Sequence, residues 1–264
     1  MMLRRSPVPA SLIVLVFSVS CGGSDPDPGT GRDSGPDNGI DAEPVGGDDL
    51  RALSDEFDGA NLDSSWQLFR PELVDLSVDS GALHLAPNQQ VLWFNQSQGP
   101  LVYKLVSGDF RISTTVRARL ASDPTMPPDQ DVHLGGLTAR APVALGDGAR
   151  EDYVFIVVGF DVDDLSVETK TTDDGTSVFV GPSWPFGGDA ELRICRIGTE
   201  FHLYKRQIDS TEWTLAITYD RPDMPADLQV GALAYANTAT PDLRASFDSL
   251  RFAPVSGLAD CTVD

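Results

Sequence analysis

Histidine and cysteine are scarce in this 264-residue chain, three of each, and that scarcity removes whole classes of chemistry. His84, His133 and His202 lie far apart, and no two cysteines stand at metal-ligand spacing, so nothing announces a zinc site. No Gly-x-Ser-x-Gly elbow occurs, which leaves nucleophilic triads without support. Positive charge is short as well: 19 Lys and Arg face 40 Asp and Glu, a net charge of −21. Such a field repels phosphate backbones and anionic lipid surfaces, which argues against nucleic acid as a partner and leaves a lipid anchor as the only route to a membrane. Apolar runs are short too. Residues 10–19 fall below the roughly 18 residues that a membrane-spanning helix needs.

That run does fit an export signal, because Arg4 and Arg5 precede it. Behind it the composition shifts. Residues 22–50 hold 8 Gly, 4 Pro and 7 Asp, 19 of 29 positions, with Ile40, Val45 and Leu50 the only large aliphatic side chains. The stretch reads as a disordered acidic tether, residues 21–50, that buries no core. Its residues 33–41, DSGPDNGID, lack the spaced acid pattern, terminal Glu and flanking helices of a calcium loop. Without the two arginines of the signal the net charge is −23; the tether's eight acids and Arg32 account for −7 of it, leaving −16 on residues 51–264.

Beyond residue 50, helix-period patterns of useful length are missing, and short apolar or alternating runs recur between Gly, Pro, Asn and Asp. Residues 111–120, RISTTVRARL, alternate: Ile112, Val116, Ala118 and Leu120 share one face, and Arg111, Arg117 and Arg119 the other. Residues 153–160, YVFIVVGF, are apolar on both faces, as in a central strand covered on both sides. Asp79-Ser80-Gly81 and Asp174-Gly175 suit turns between strands, and residues 209–212, DSTE, separate two further strands. With no internal repeat and no second linker, the expectation is one all-β domain over residues 51–255, an antiparallel β-sandwich of a dozen or so strands, followed by a short tail, residues 256–264.

Residues 18–23, SVSCGG, resemble the lipobox of bacterial lipoproteins, although Ser18 stands where leucine is usual. The resemblance implies cleavage before Cys21, acylation of that residue and, from Gly22, an outer-membrane destination; ordinary secretion with a free Cys21 is the alternative. Within the domain, DEFDG (55–59), LDSSW (62–66), GALHL (81–85) and SGDF (107–110) are followed by LRICR (192–196), Gly198, FHLY (201–204), Asp209, Trp213, LQVG (228–231) and FDSLRF (247–252). In this order they resemble concanavalin A-like lectin/glucanase domains of bacterial extracellular proteins over residues 54–253, with Ser210 where those domains usually have Gly. The resemblance implies a jelly roll, a fold that carries glucanases, lectins and binding modules alike.

Laminarinase-type members of that fold carry a Glu-x-Asp-x-x-Glu strand, whose period-two spacing turns all three acids into the cleft. This chain has no such strand; the nearest acids, Glu151-Asp152 and residues 161–168 (DVDDLSVE), lack the two spaced glutamates, and the second group reads as a turn. The resemblance further implies a structural calcium held by main-chain oxygens of Glu56 and Gly81 and the carboxylate of Asp248, a donor set that suits a hard cation; an ordinary hydrogen-bonded turn is the alternative. Cys195 and Cys261 form an even pair once Cys21 is assigned to lipid, so a disulfide is expected in an oxidising compartment, against a buried Cys195 with a free Cys261. A lectin-like site needs aromatic faces and convergent polar groups. Trp93, Trp184 and Tyr235 with Asn237 are the rim candidates, helped by Arg140 and Tyr153, while Trp66 and Trp213 read as core. The functional expectation is a lipid-anchored surface or periplasmic glycan-binding module without recognisable catalytic residues. A structural or adhesion lipoprotein with a protein partner, or a divergent glycoside hydrolase, are the alternatives.

Overall fold

The computed structural model describes residues 43–143 and 150–264. Cys21, the export signal and residues 22–42 of the tether lie outside the described residues. The described chain forms β1 (Val45–Gly46), β2 (Gln67–Phe69), β3 (Val74–Asp79), β4 (Ala82–Pro87), β5 (Leu101–Ser107), β6 (Phe110–Arg119), β7 (His133–Arg140) and β8 (Tyr153–Phe160). These are followed by β9 (Leu165–Asp173), β10 (Thr176–Val180), β11 (Asp189–Ile197), β12 (Glu200–Arg206), β13 (Thr214–Asp220), β14 (Asp227–Ala236), β15 (Arg244–Phe247) and β16 (Arg251–Ala253).

Two sheets result. The first runs β1-β5-β14-β7-β8-β9-β10 with β2 on β5, and the second runs β13-β12-β11-β6-β15-β4-β3 with β16 on β6. The long neighbours pair antiparallel, as β8 does with β7 and β9, and β6 with β11. Local chemistry explains the elements. In β6, Phe110, Ile112, Thr114, Val116 and Ala118 are buried and the residues between them are half-buried, because successive side chains leave a strand on opposite faces. In β8 all but the last residue are buried. Hairpins close at Ser80-Gly81, with φ of 54° and 73°, and at Asp174-Gly175, with φ of 47° and 73°. Two successive positive φ values match the right-handed twist of the flanking strands, and glycine at the second position adopts one without a Cβ clash.

The facing surfaces of the sheets enclose the core. Val116, Ile156, Val158, Ile194 and Phe247 are fully buried there, with β8 packed on β11, β7 on β6 and β14 on β4. Each such side chain stabilises by roughly 1.5–3 kcal/mol relative to its exposed state. Phe57 and Trp66 enter this core with ring centroids 6.1 Å apart. Between them Asp55 acts as a clamp: its two oxygens accept the Phe57 amide and the Trp66 indole N–H, each at 2.8 Å.

Two expectations change. The domain starts before residue 51, because β1 pairs with β5, a 3-10 turn spans Gly47–Leu53, and Leu50 is fully buried in the core. One anchored leucine suffices to order a segment whose average composition is that of a linker. The short tail, residues 256–264, is packed against the domain: a 3-10 turn spans Leu258–Cys261, and Arg193 donates to the carbonyls of Cys261 at 2.8 Å and Val263 at 2.9 Å. Trp213 is not core; it lies half-buried between Arg193 and Arg206, whose guanidinium carbons sit 3.9 and 4.3 Å from its ring centroid.

Candidate functional site

The face of the first sheet turned away from the core carries a second, aromatic layer. Period-two alternation brings Tyr153, Phe155 and Val157 of β8, Tyr103 of β5 and Leu233 and Tyr235 of β14 to that face. The segment from residue 88 to 100 crosses over it like a strap. Val91 bridges to Ala236 at one end; at the other, the Asn95 amide donates to Ser177 Oγ at 2.6 Å and the Ser177 amide returns a bond to Asn95 Oδ1 at 3.0 Å. Trp93 points from the strap into the sheet, edge-on to Tyr153 with centroids 5.4 Å apart. Gly99 makes room for it: a Cβ there would lie 2.3 Å from the indole nitrogen.

Two buried ion pairs sit under the strap. Glu168 and Lys170 alternate on β9 with Val167 and Thr169, so both face the aromatic layer; Lys170 Nζ lies 3.1 Å from Glu168 Oε1 and donates to the Trp93 carbonyl at 2.9 Å. The Tyr235 hydroxyl donates to the same glutamate at 3.2 Å, and rings of Phe94, Phe155, Phe179 and Tyr235 surround the ammonium. Burial pushes the Glu168 carboxyl up and the Lys170 ammonium down, each against the pull of its partner. In the second pair, Arg140 Nε donates to Glu151 Oε2 at 2.6 Å with both side chains inaccessible to solvent, and Gln98 of the strap donates to Glu151 Oε1 at 2.5 Å. Arg140 also stacks over Phe69, 4.1 Å from its centroid.

Most of the rim residues expected from sequence therefore lie inside. Trp93, Arg140, Tyr153 and Tyr235 are at most 1% exposed, so they form the layer that the strap seals and do not present faces to a ligand. Trp184 closes one end of the main core and donates its indole N–H to the Asp189 carbonyl at 2.7 Å. Asn237 is the exception; it is exposed and accepts from Gln90 Nε2 at 2.9 Å. Period two could have joined Glu168 to Lys170, but a sequence gives no sign that a strap will cover them.

The strap's own outer side forms a hollow of about 440 Å3. Gln90, Gln96, Gln98, Ser97 and Arg70 supply its polar lining, and Leu73, Val91 and Leu92 its apolar lining. Exposed Phe94, on the same strap, meets Phe179 of edge strand β10 edge-on, with centroids 6.3 Å apart. These amides carry no motif in the sequence.

The acids of the 161–168 stretch do converge. Asp161 and Glu168 lie on either side of the turn between β8 and β9, and a Cβ on Gly181 would lie 3.3 Å from Asp161 Oδ2, 3.6 Å from Ser166 Oγ and 3.7 Å from Glu168 Cβ. Burial, with Asp131 and Asp163 adding to it, raises the Asp161 carboxyl. Ser166 Oγ and the Tyr153 hydroxyl are buried without a hydrogen-bond partner among the described residues.

The calcium segments also meet, because Asp55 bridges to Leu250 and Phe247 pairs with Leu83, but their side-chain charges are already matched. Asp248 accepts from Arg117, and Glu56 accepts from Arg251 through both oxygens at 2.9 Å. A guanidinium thus sits on one oxygen of the one carboxylate in that donor set. Cys195 and Cys261 are joined in a disulfide with Cα atoms 5.7 Å apart.

No protein-family model and no curated protein matches the chain. Solved structures do. A functionally unknown protein from Saccharomyces cerevisiae superposes with a TM-score of 0.59 at 13% identity, over 74% of this chain and 98% of its own. A xylan β-1,4-xylosidase from Bacillus halodurans C-125 superposes with a TM-score of 0.60 at 19% identity, over 83% of this chain. The GH43B protein of the Bacteroides ovatus xyloglucan PUL gives 0.59 at 16%, over 77% of this chain. The chain spans 41% of that xylosidase and 39% of that GH43B protein. At such identities the likeness is one of fold: this chain is an antiparallel two-sheet β-sandwich.

Proposed function

We propose that the folded domain is a non-catalytic carbohydrate-binding module, held at the bacterial envelope by lipid on Cys21 and the acidic tether. The observation that carries this reading is the hollow on the strap, lined by Gln90, Gln96, Gln98, Ser97 and Arg70 beside apolar Leu73, Val91 and Leu92. Uncharged amides that both donate and accept suit the hydroxyls of a neutral sugar, apolar patches suit its C–H faces, and the exposed Phe94–Phe179 ledge lies along the same strap. Sandwiches of this fold occur in a protein named as a xylan β-1,4-xylosidase and in a GH43B protein named for a xyloglucan PUL, which makes xylo-oligosaccharides the first probes. Burial of Glu168 against Lys170 and Tyr235 favours binding over hydrolysis, since a catalytic carboxyl must reach the substrate.

Calorimetric titration with xylohexaose and a xyloglucan oligosaccharide tests the reading. Gln96 is exposed, so Gln96→Ala leaves the fold intact and weakens binding roughly tenfold, a loss of ~1.4 kcal/mol. A broad panel of neutral glycans that stays blank against the wild-type protein sinks the proposal.

A further inference from the structure

On the opposite side of the molecule, the outer face of the second sheet holds a groove of about 460 Å3. In a protein of net charge −21 this groove is basic: Arg51, Arg111, Arg193, Arg206 and Arg251 line it. Glu56, Glu191 and Asp264 are the acids of the same lining, five positive groups against three negative. Glu56 is paired with Arg251, Glu191 with Arg206, and Asp264 with both Arg193 and Arg206. Arg51 and Arg111 account for the surplus of two.

Register builds the floor. Ser113 of β6 stands between Arg193 of β11 and Arg251 of β16, and Thr115 stands beside Glu191, so hydroxyls and charges alternate across three adjacent strands at ~4.8 Å spacing. Arg193 is the most enclosed of the guanidiniums. Its side chain is 2% exposed, and its Nε, like that of Arg111, is buried without a hydrogen-bond partner among the described residues. Burial, with Arg111 and Arg206 adding repulsion, pulls Arg193 down to about 10. Concentrated positive charge with unpaired buried donors is stabilised by an anion. The chain itself supplies the precedent: the Asp264 carboxylate takes bonds from Arg193 at 3.2 Å, Arg206 at 2.8 Å and the Trp213 indole at 3.1 Å. Trp213 is wedged between the two arginines, and the disulfide ties β11 to the segment that carries these groups, so little ordering remains for binding to cost.

We infer that this groove binds a carboxylate-bearing saccharide, a hexuronate unit whose anion meets Arg51 and Arg111 while its hydroxyls meet Ser113, Thr115 and the groove acids. The site is separate from the neutral-sugar hollow and stands without it. Its occupant is a carboxylate because that is the anion Arg193 and Arg206 of the same groove already hold, and a saccharide because hydroxyls and acids share the floor with the guanidiniums.

Titration of the purified protein with trigalacturonate, with xylotriose and inorganic sulfate as controls, tests the inference. Trigalacturonate binds, and its affinity falls about tenfold as NaCl rises from about 50 to about 300 mM, because screening shortens the reach of charge. Exposed Arg51 carries no fold contact through its side chain that melting would register, so Arg51→Glu keeps the melting temperature and weakens trigalacturonate at least about tenfold. Asp264→Asn removes the internal competitor and tightens it, while Gln96→Ala leaves it unchanged. Absence of trigalacturonate binding overturns the inference, and so does binding indifferent to both Arg51→Glu and salt. Sulfate that binds as tightly as trigalacturonate reduces the groove to a generic anion site and overturns its assignment to a saccharide.

Discussion

Lys170 and Glu168 lie side by side on β9, with Nζ 3.1 Å from Oε1 and side chains 5% and 4% exposed. Two charges that have left water hold each other, and a tyrosine hydroxyl and the Trp93 carbonyl complete the coordination. The pair therefore ties the strap to the sheet beneath it.

Removing one partner strands the other. Lys170→Met costs about 3–5 kcal/mol in urea unfolding, because an unpaired carboxylate remains buried, whereas Lys170→Met with Glu168→Gln recovers most of that loss. The single variant also has a defined pH dependence. Burial raises the folded Glu168 carboxyl above its ordinary 4.5, so between the unfolded and folded values the folded state binds more protons. Stability is then complete below about pH 4.5 and falls as pH rises through that window. Equal losses in the single and double variants contradict this account.

The Cys195–Cys261 bond closes a separation of 66 residues, and its loss costs about 2–4 kcal/mol. Cys261→Ser lowers the melting temperature accordingly. Under denaturing conditions without reductant, neither Cys195 nor Cys261 reacts with a thiol reagent; two reactive thiols from this pair exclude the bond.

Calcium at Glu56, Gly81 and Asp248 has to compete with Arg117 for Asp248. Melting temperatures in excess EDTA and in millimolar calcium therefore agree within about 1 °C, since a ligand that does not bind the native state cannot stabilise it. A rise with calcium that Asp248→Ala abolishes restores the metal.

The proposed lipid attachment depends on one side chain. Cys21→Ser leaves a protein that no longer labels with radioactive palmitate and no longer partitions into detergent, because among the described residues no helix is long and apolar enough to cross a membrane. Unchanged partitioning refutes acylation at Cys21.

Alternation made β6 readable residue by residue, and β8 announced its double-sided burial through an unbroken apolar run. The turns at Ser80-Gly81 and Asp174-Gly175 were equally legible, because few residue types accept two positive φ values in succession. The candidate site was not. Trp93, Arg140, Tyr153 and Tyr235 are expected at a rim from the sequence but lie buried, and the strap that covers them is an amide-rich stretch with no period of its own. Val45 and Leu50 were hidden by the composition around them, and Trp213 looked like core because tryptophan usually is.

The sequence by itself determined which residues alternate, where the chain turns, that the domain is all-β, and that its charge is strongly negative, since each of these follows from near neighbours or from composition. Tertiary structure alone decided that Glu168 and Lys170 are sealed beneath residues 88–100, that Arg117 takes Asp248, and that five arginines spread from residue 51 to residue 251 gather in one groove. Those outcomes depend on which strands become neighbours and which segment crosses a sheet face. They are set by long-range packing, which no local pattern along the chain records.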